Sequence, residues 1–150
     1  MEATESEEEY ALMLMGRFYN SIDAKNRVII PAKFRDALKG PCVIAKGLDD
    51  CMEVYPQSVW EAEAAQLRSL PKSDPIARKY RRARLFNLES CEMDKQGRIV
   101  VPAWLLETVH VSKELVTIGM DDHVEIWAKE VLDQQMADDD FGDFSDKYPV

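Results

Sequence analysis

Short apolar runs separated by turns, rather than long helical stretches, dominate the hydrophobic pattern of this sequence. The β-branched runs at 28–30 and 99–101 each follow a tight polar turn and end at a proline. Proline cannot donate to a strand ladder but suits the first turn of a helix, so each run predicts a short strand followed by a helix. The apolar residues after each proline predict helices over 32–38 and 103–109.

Two further pairs of apolar runs flank short acidic turns and predict β-hairpins. The paired runs are 42–47 with 51–55 and 114–119 with 123–127. Each half of the chain therefore has the predicted order strand, helix, strand, strand. Three short strands leave exposed edges, so we expect the two halves, or two subunits, to pair along them.

The two halves also repeat each other in sequence. With an offset of 71 residues the turns and apolar runs align, and with an offset of 72 the hairpins align. The aligned pairs include Asp23 with Asp94, Arg27 with Arg98, and Pro31 with Pro102. This duplication predicts two pseudo-symmetric units, roughly 22–55 and 93–127.

The segment between the units has helical spacing. Residues 56–69 predict one helix, and Ser73 is the expected N-cap of a second helix with Pro75 in its first turn. Five of the seven residues from 78 to 84 are basic. A solvated face that pairs with acids or with a neighbouring subunit is the favoured interpretation, and phosphate contact is the alternative, because charge runs alone are weak signals.

Charge is distributed unevenly along the 150 residues. Residues 2–9 carry five acids, and residues 138–147 carry five acids and one lysine, which together account for the whole net charge of -9. The segment 10–136 is therefore formally neutral and can carry a basic face. Both acidic tails are too polar to pack, so we expect them to be disordered.

Composition excludes several classes of protein. The chain is 46% hydrophobic, enough for a buried core, but no apolar run approaches the roughly 18 residues of a membrane span. The three cysteines form no CxxC pair, which argues against a disulfide framework and a cysteine-built zinc site. We expect a cytoplasmic protein in a reducing compartment.

The duplicated D-x-x-G-R-type turn, apolar strand, proline and short helix, together with the intervening W-x-x-x-x-x-x-L and S-D-P helices, closely resemble the MraZ family over about 14–133. The resemblance implies an α+β fold in which two SpoVT/AbrB-type units form a small double-ψ, swapped-hairpin barrel. It also implies a ring of several subunits. The implied segments are an acidic tail over 1–13, a first unit over 14–60, a helical connector over 61–90, a second unit over 91–133 and an acidic tail over 134–150.

The same resemblance implies the function. MraZ proteins are bacterial, nucleoid-associated regulators that bind short tandem repeats of double-stranded DNA upstream of the division and cell-wall gene cluster and repress it. The implied DNA-binding residues are Asp23, Lys25, Arg27, Asp94, Lys95 and Arg98. An arginine that leaves a tight turn presents a planar fork to a guanine edge or a phosphate, whereas an aspartate can only orient it.

The turns depart from the family pattern at two places. Asn26 stands where the family usually has glycine, and asparagine tolerates positive φ at the least cost, so we expect the turn to survive. In the second turn the basic residue moves from the position of Lys25 to that of Ala24 and becomes Lys95. Contact by Lys95 is thus less secure than contact by Lys25.

Other interpretations stay open at this stage. Each arginine could be structural and pair only with its own aspartate. The chain could also be an oligomeric scaffold whose acidic tails recruit basic partners without DNA. Cys51 and His123 occupy the same repeat position beside Asp50 and Asp122, so a metal site is conceivable, although ordinary turn-flanking residues are favoured. No motif for catalysis is present, so we expect no enzyme activity, cofactor, small-molecule substrate or membrane partner.

Overall fold

The computed structural model describes residues 13–137 and 141–148 as an α+β fold. The strands are β1 (Arg17–Ser21), β2 (Arg27–Ile29), β3 (Pro41–Lys46), β4 (Met52–Pro56), β5 (Leu88–Glu92), β6 (Arg98–Val100), β7 (Glu114–Gly119) and β8 (Val124–Ala128). The helices are α1 (Gln57–Ser69), α2 (Pro75–Phe86), α3 (Ala103–Thr108), α4 (Lys129–Gln135) and α5 (Gly142–Lys147), with a short 3-10 helix at Ala32–Phe34.

Antiparallel pairing organises the strands into a six-stranded sheet and a two-stranded ribbon. The sheet has the order β1-β7-β8-β4-β3-β5, and the ribbon consists of β2 and β6. Strands β4 and β8 join the two predicted hairpins side by side, with Val54 opposite Val124. The prediction that one half covers an edge of the other is therefore confirmed.

Each half of the chain also contributes one strand to the other half. β1 of the first half pairs with β7 of the second, and β5 of the second half pairs with β3 of the first. The predicted order of strand, helix, strand, strand lacks β1 and β5 and is therefore incomplete. Their sequences, RFYNS and LESCE, lack β-branched residues, and their distant partners stabilise them instead.

An apolar core joins the ribbon to one face of the sheet. Val28 and Ile99 of the ribbon are in the same buried cluster as Ile44 of β3, and each is at most 1% exposed. Full burial of such a side chain contributes roughly 1.5–3 kcal/mol to folding. Phe18 and Phe34 add an edge-to-face contact with ring centroids 5.2 Å apart. The inner side of the ribbon is therefore fixed in position.

Helix α1 covers the opposite face of the sheet, as its apolar spacing predicts. Trp60 and Leu67 are buried in a second cluster with Val43 and Tyr55. The rings of Trp60 and Tyr55 have centroids 5.8 Å apart.

Two predicted helix limits are wrong. Asp74, not Ser73, is the N-cap of α2, because its side chain accepts a hydrogen bond from the Ile76 N–H at 2.9 Å. The predicted helix over 32–38 is only a 3-10 helix at Ala32–Phe34 followed by turns.

The basic helix α2 is largely on the surface. Ile76 and Tyr80 are 79% and 43% exposed, while Ala77 and Arg84 are buried. The helix thus contacts the body of the protein through its Ala77 and Arg84 side, and most of its basic residues face solvent.

Two elements extend across the predicted segment limits, which stay predictions. Helix α1 begins within the range 14–60, and β5 begins within the range 61–90. Disorder expected over 1–13 falls outside the described residues except at Met13, which is exposed. Disorder over 134–150 stays a prediction; within that range α5 is helical, and Phe144 packs on Tyr148 with ring centroids 5.1 Å apart. No helix in the described ranges is long and apolar enough to cross a membrane.

Candidate nucleic-acid interface

The first arginine turn is built around the carboxylate of Asp23. One oxygen accepts hydrogen bonds from the backbone N–H groups of Lys25 at 2.9 Å and Arg27 at 2.8 Å. The other oxygen accepts from Nε of Arg27 at 2.6 Å. Asp23 therefore holds both the backbone of the turn and the arginine side chain.

The second turn repeats this arrangement bond for bond. One oxygen of Asp94 accepts from the backbone N–H groups of Gln96 and Arg98, both at 2.9 Å. The other accepts from Nε of Arg98 at 2.8 Å. The sequence repeat is thus a repeat of local geometry, even though the residues between aspartate and arginine differ.

A left-handed residue makes each turn possible. Asn26 has φ 58° in the first turn and Gly97 has φ 77° in the second, so asparagine does replace glycine at the expected position. The carbonyls of these two residues accept hydrogen bonds from the opposite strand, Asn26 from the Val101 N–H at 2.8 Å and Gly97 from the Ile30 N–H at 2.7 Å. Each turn is therefore tied to the other half of the chain.

The strand register places both arginines on one face of the ribbon. Arg27 lies opposite Val100, and Ile29 lies opposite Arg98, with the buried pair Val28 and Ile99 between them. Alternate residues of a strand point to opposite faces, so Arg27, Ile29, Arg98 and Val100 share the outer face. The two arginines are diagonal neighbours, whose Cα atoms are roughly 7–8 Å apart in an antiparallel pair.

This outer face is accessible and contains two ion pairs. The side chains of Arg27 and Arg98 are 25% and 29% exposed, so neither is buried. Backbone N–H groups of the turns, chiefly those of the arginines, and the guanidinium groups lower the pKa of both aspartate carboxyls. Both turns therefore keep the aspartates ionised, and the predicted structural pairs do form. The lysines Lys25 and Lys95 are exposed.

The two arginines differ in how much of the guanidinium is occupied. Among the described residues the Arg27 guanidinium is hydrogen-bonded only through Nε, so its Nη groups are available for a ligand. Arg98 also donates from Nη2 to the side-chain oxygen of Gln96. Gln96 occupies the position of Lys25, so the two turns have the same formal charge but the arginine of the first turn is freer.

Arg35 is a supporting residue that lies outside the repeated turn motif. Its Nε donates to the Ile30 carbonyl at 2.8 Å, and its guanidinium lies against the backbone of Gly97. The repeat counterpart of Arg35 is Leu106. A charged residue at a repeat position that is apolar in the other copy is the signal that could have identified it.

Replacing Gly97 with alanine tests how the second turn is held. The new Cβ would collide with the Arg35 guanidinium, and φ would stay in the left-handed region, so the free energy of unfolding should fall by about 1–3 kcal/mol. Chemical denaturation measures the change. Asn26→Gly is the matched control and should change it by less than about 1 kcal/mol; equal losses would contradict the account.

Comparison with known proteins decides the family. A family model described as "MraZ protein, putative antitoxin-like" matches residues 13–83 and 85–147. The chain belongs to the MraZ family. A protein named transcriptional regulator MraZ from Thermoanaerobacter sp. (strain X514) is 47% identical over 122 residues, which cover 81% of this chain and 85% of the relative. A relative with the same name from Natranaerobius thermophilus is 41% identical over 137 residues, covering 90% and 96% of the two chains.

Membership of MraZ makes the chain a transcriptional regulator, which is not an enzyme class. The matched ranges include both arginine turns and the connector between the units except for residue 84.

A second charged cluster in this MraZ chain lies where β4 and β8 meet. Nη1 of Arg84 donates a long hydrogen bond of 3.5 Å to one Glu53 oxygen. The other Glu53 oxygen lies 3.4 Å from Nε2 of His123, a charge contact without hydrogen-bond geometry. Nδ1 of His123 lies 2.7 Å from an Asp122 oxygen, and its ring stacks on Tyr55. The sequence signal that could have identified this cluster is a glutamate at the same repeat position of both hairpins, Glu53 and Glu125.

The metal-site alternative is wrong in its residues. Within the described part of the chain, the group whose ligand atoms lie within 4.8 Å of one another is Glu53, His123 and Glu125, and Cys51 is not a member. The Arg84 guanidinium already compensates the charge of Glu53, which favours an internal ion-pair network over a bound cation.

His123 should make stability depend on pH. Burial alone would lower the pKa of His123, but the carboxylates of Glu53 and Asp122 outweigh it and raise the pKa above 6.5. Protonation of His123 therefore stabilises the fold fully below about pH 6.5, and this contribution is lost as pH rises through the folded-state pKa. The expected slope is at most about 1.4 kcal/mol per pH unit.

Denaturation midpoints measured from pH 6 to 9 check this dependence. His123→Gln should flatten the profile, whereas His110→Asn, which removes an exposed histidine at φ 63°, should leave it unchanged. A profile that is insensitive to His123→Gln would contradict the assignment.

Proposed function

We propose that this chain is a sequence-specific DNA-binding regulator that represses the division and cell-wall gene cluster by binding tandem promoter repeats. The observation that supports the proposal is the placement of both arginine turns on one exposed face of the β2–β6 ribbon. The proposed site comprises Asp23, Lys25, Arg27, Asp94, Lys95 and Arg98. Its setting is the cytoplasm, in association with the nucleoid.

The dimensions of the ribbon suit the major groove. A two-stranded β-ribbon fits the groove of B-DNA, which is about 12 Å wide. The Nη groups of Arg27 can then bind a guanine edge bidentately, because Asp23 occupies Nε and fixes the side chain. The exposed lysines on the tips of the turns would contact phosphates, which position the protein without specifying sequence.

Apolar side chains between the arginines can add to recognition. Ile29 and Val100 share the outer face with the arginines and are 41% and 63% exposed. Aliphatic groups at such a position can contact the methyl group of thymine. The ribbon therefore offers both polar and apolar readout over a few base pairs.

The swapped-hairpin arrangement of the family fits the exchanged strands β1 and β5, which also bear on ring assembly. These strands form the two different edges of the sheet. Tyr19 on β1 is 59% exposed, and Phe86 next to β5 is 80% exposed. Contact between unlike edges of successive subunits is heterologous and can close into a ring.

A ring would convert weak single contacts into strong binding. One ribbon contacts few bases, so a single subunit binds DNA weakly. In a ring, identical ribbons reach several repeats of one DNA molecule, and each later contact is intramolecular with a high effective concentration. Occupied repeats that overlap the promoter would block transcription.

Binding to repeat arrays tests this function. The experiment measures affinity for DNA from upstream of the protein's own gene with one, two or three repeats, at several salt concentrations, with light scattering to size the complexes. Affinity should rise steeply with repeat number and fall as salt rises, because phosphate contacts release counterions. Equal affinity for a scrambled sequence would contradict the proposal.

A scaffold without DNA binding is the second candidate. The Asp23–Arg27 and Asp94–Arg98 pairs favour it, since each arginine already has a structural partner. A scaffold would still form the ring. Its weak, nonspecific affinity for DNA would not change when the arginines of the turns are replaced.

A further inference from the structure

Two cysteines from different halves of the chain face each other in the sheet. Cys42 of β3 lies directly opposite Cys91 of β5, and their Sγ atoms are 2.8 Å apart. Both are free thiols. Directly opposite residues in an antiparallel pair have Cα atoms about 4.5–5.5 Å apart, within the roughly 4.4–6.8 Å range of disulfides. The strand pairing therefore presents a geometry in which a disulfide can close with little backbone movement.

The surroundings of the pair allow it to react. Cys42 is fully buried, whereas Cys91 is half-buried on an edge strand and can meet a small solute. The hydrogen bond from the Cys91 thiol lowers the pKa of Cys42, whereas the same hydrogen bond and then burial raise the pKa of Cys91, so a negative charge on the pair rests chiefly on the Cys42 sulfur. The third cysteine, Cys51, differs, because burial first and then neighbouring carboxylates raise its pKa. A thiolate is the reactive form of cysteine, so the lowered pKa of Cys42 distinguishes the pair from Cys51.

We propose that Cys42 and Cys91 form a thiol oxidation site that accepts a hydroperoxide and closes a disulfide between the two halves of the chain. The site is independent of DNA binding.

The reaction balances with hydrogen peroxide as the oxidant. The singly deprotonated pair holds its charge chiefly on Cys42, and movement of the remaining proton from Cys91 to Cys42 places the thiolate on the more accessible Cys91. This thiolate attacks one peroxide oxygen and becomes a sulfenic acid as hydroxide leaves. The hydroxide takes the Cys42 proton and forms one water. The Cys42 thiolate then attacks the sulfur of Cys91, the sulfur–oxygen bond breaks, and the second hydroxide leaves as water after taking a proton from solvent. The two thiols are oxidised, and peroxide is reduced to two waters.

The disulfide would connect two strands from different halves of the chain. It joins β3 to β5 across the boundary between the halves, three positions before Asp94. A cross-link that closes a loop of about 50 residues restricts the unfolded chain strongly. The oxidised protein should therefore unfold at a higher temperature, because the disulfide holds the edge strand β5 on β3.

Oxidation of the full-length protein tests the site. The protein is treated with one equivalent of hydrogen peroxide, its free thiols are titrated, and the disulfide-linked peptides are mapped by mass spectrometry. We expect the number of free thiols to fall from three to one, with a 42–91 linkage inside one chain. The melting temperature should rise by about 5 °C or more and return after reduction.

Matched variants separate the pair from general thiol reactivity. Cys51→Ser should form the same disulfide, whereas Cys91→Ser should form none and should gain no thermal stability on oxidation. The melting temperature of reduced Cys91→Ser, expected within a few degrees of the parent, verifies that the variant is folded. Three titratable thiols after peroxide, or a linkage that includes Cys51 or a second chain, would overturn the proposal.

Discussion

Replacing Arg27 with alanine should lower the affinity of the protein for promoter repeats by at least about 100-fold. A bidentate arginine contact to a guanine is worth about 1–3 kcal/mol, or roughly 5- to 150-fold at one repeat. Every subunit of a ring loses the same contact, so the loss compounds on DNA with several repeats. Fluorescence anisotropy with labelled repeat DNA at fixed salt measures the effect.

Variants of other arginines make this result specific. Arg68→Ala removes the same charge from the exposed end of α1 and should change affinity by less than about 3-fold. Arg98→Ala should have a smaller effect than Arg27→Ala, because Gln96 already engages the Arg98 guanidinium. Equal losses for Arg27→Ala and Arg68→Ala would show that the arginine turn has no special role, and unchanged affinity in both would favour the scaffold.

Replacing Glu53 with alanine should destabilise the protein by about 3–5 kcal/mol. Glu53 is buried and compensates Arg84 and His123, so its removal leaves an unpaired guanidinium that is only 8% exposed. Breaking a buried ion pair at one partner costs this much because the remaining charge stays desolvated. Urea denaturation at pH 7 gives the free energy of unfolding.

A double variant distinguishes an uncompensated charge from lost packing. Replacement of a buried pair by apolar residues of similar size is often close to neutral, so Glu53→Leu with Arg84→Met should recover most of the loss. A double variant as unstable as the sum of the single variants would contradict the assignment of the cost to the unpaired charge.

The sequence repeat predicts much of the fold because each unit has strong local signals. The β-branched runs, their prolines and the acidic hairpin turns identify β2, β6 and both hairpins. The strands β1 and β5 could not be predicted in this way, since their polar sequences form strands only beside distant partners. The N-cap of α2 could not be predicted to the residue, because Ser73 and Asp74 are both good capping residues and stand next to each other.

The candidate interface likewise combines features that local sequence predicts with features that depend on long-range pairing. The local pattern predicts the two turns, in which an aspartate accepts hydrogen bonds from the backbone and an arginine begins the next strand. The sharing of one ribbon face depends on the register that pairs Arg27 with Val100, which is a long-range property. The contact between Glu53 and Arg84 likewise could not be predicted from the local pattern, because Arg84 lies on a helix 31 residues further along the chain.

Hydrogen exchange on the DNA complex tests the central claim most directly. With promoter-repeat DNA bound, peptides covering 22–30 and 93–101 should exchange more slowly than in the free protein, and peptides from α2 should be unchanged. Slower exchange centred on the basic helix at 75–86, with the ribbon unaffected, would contradict the account.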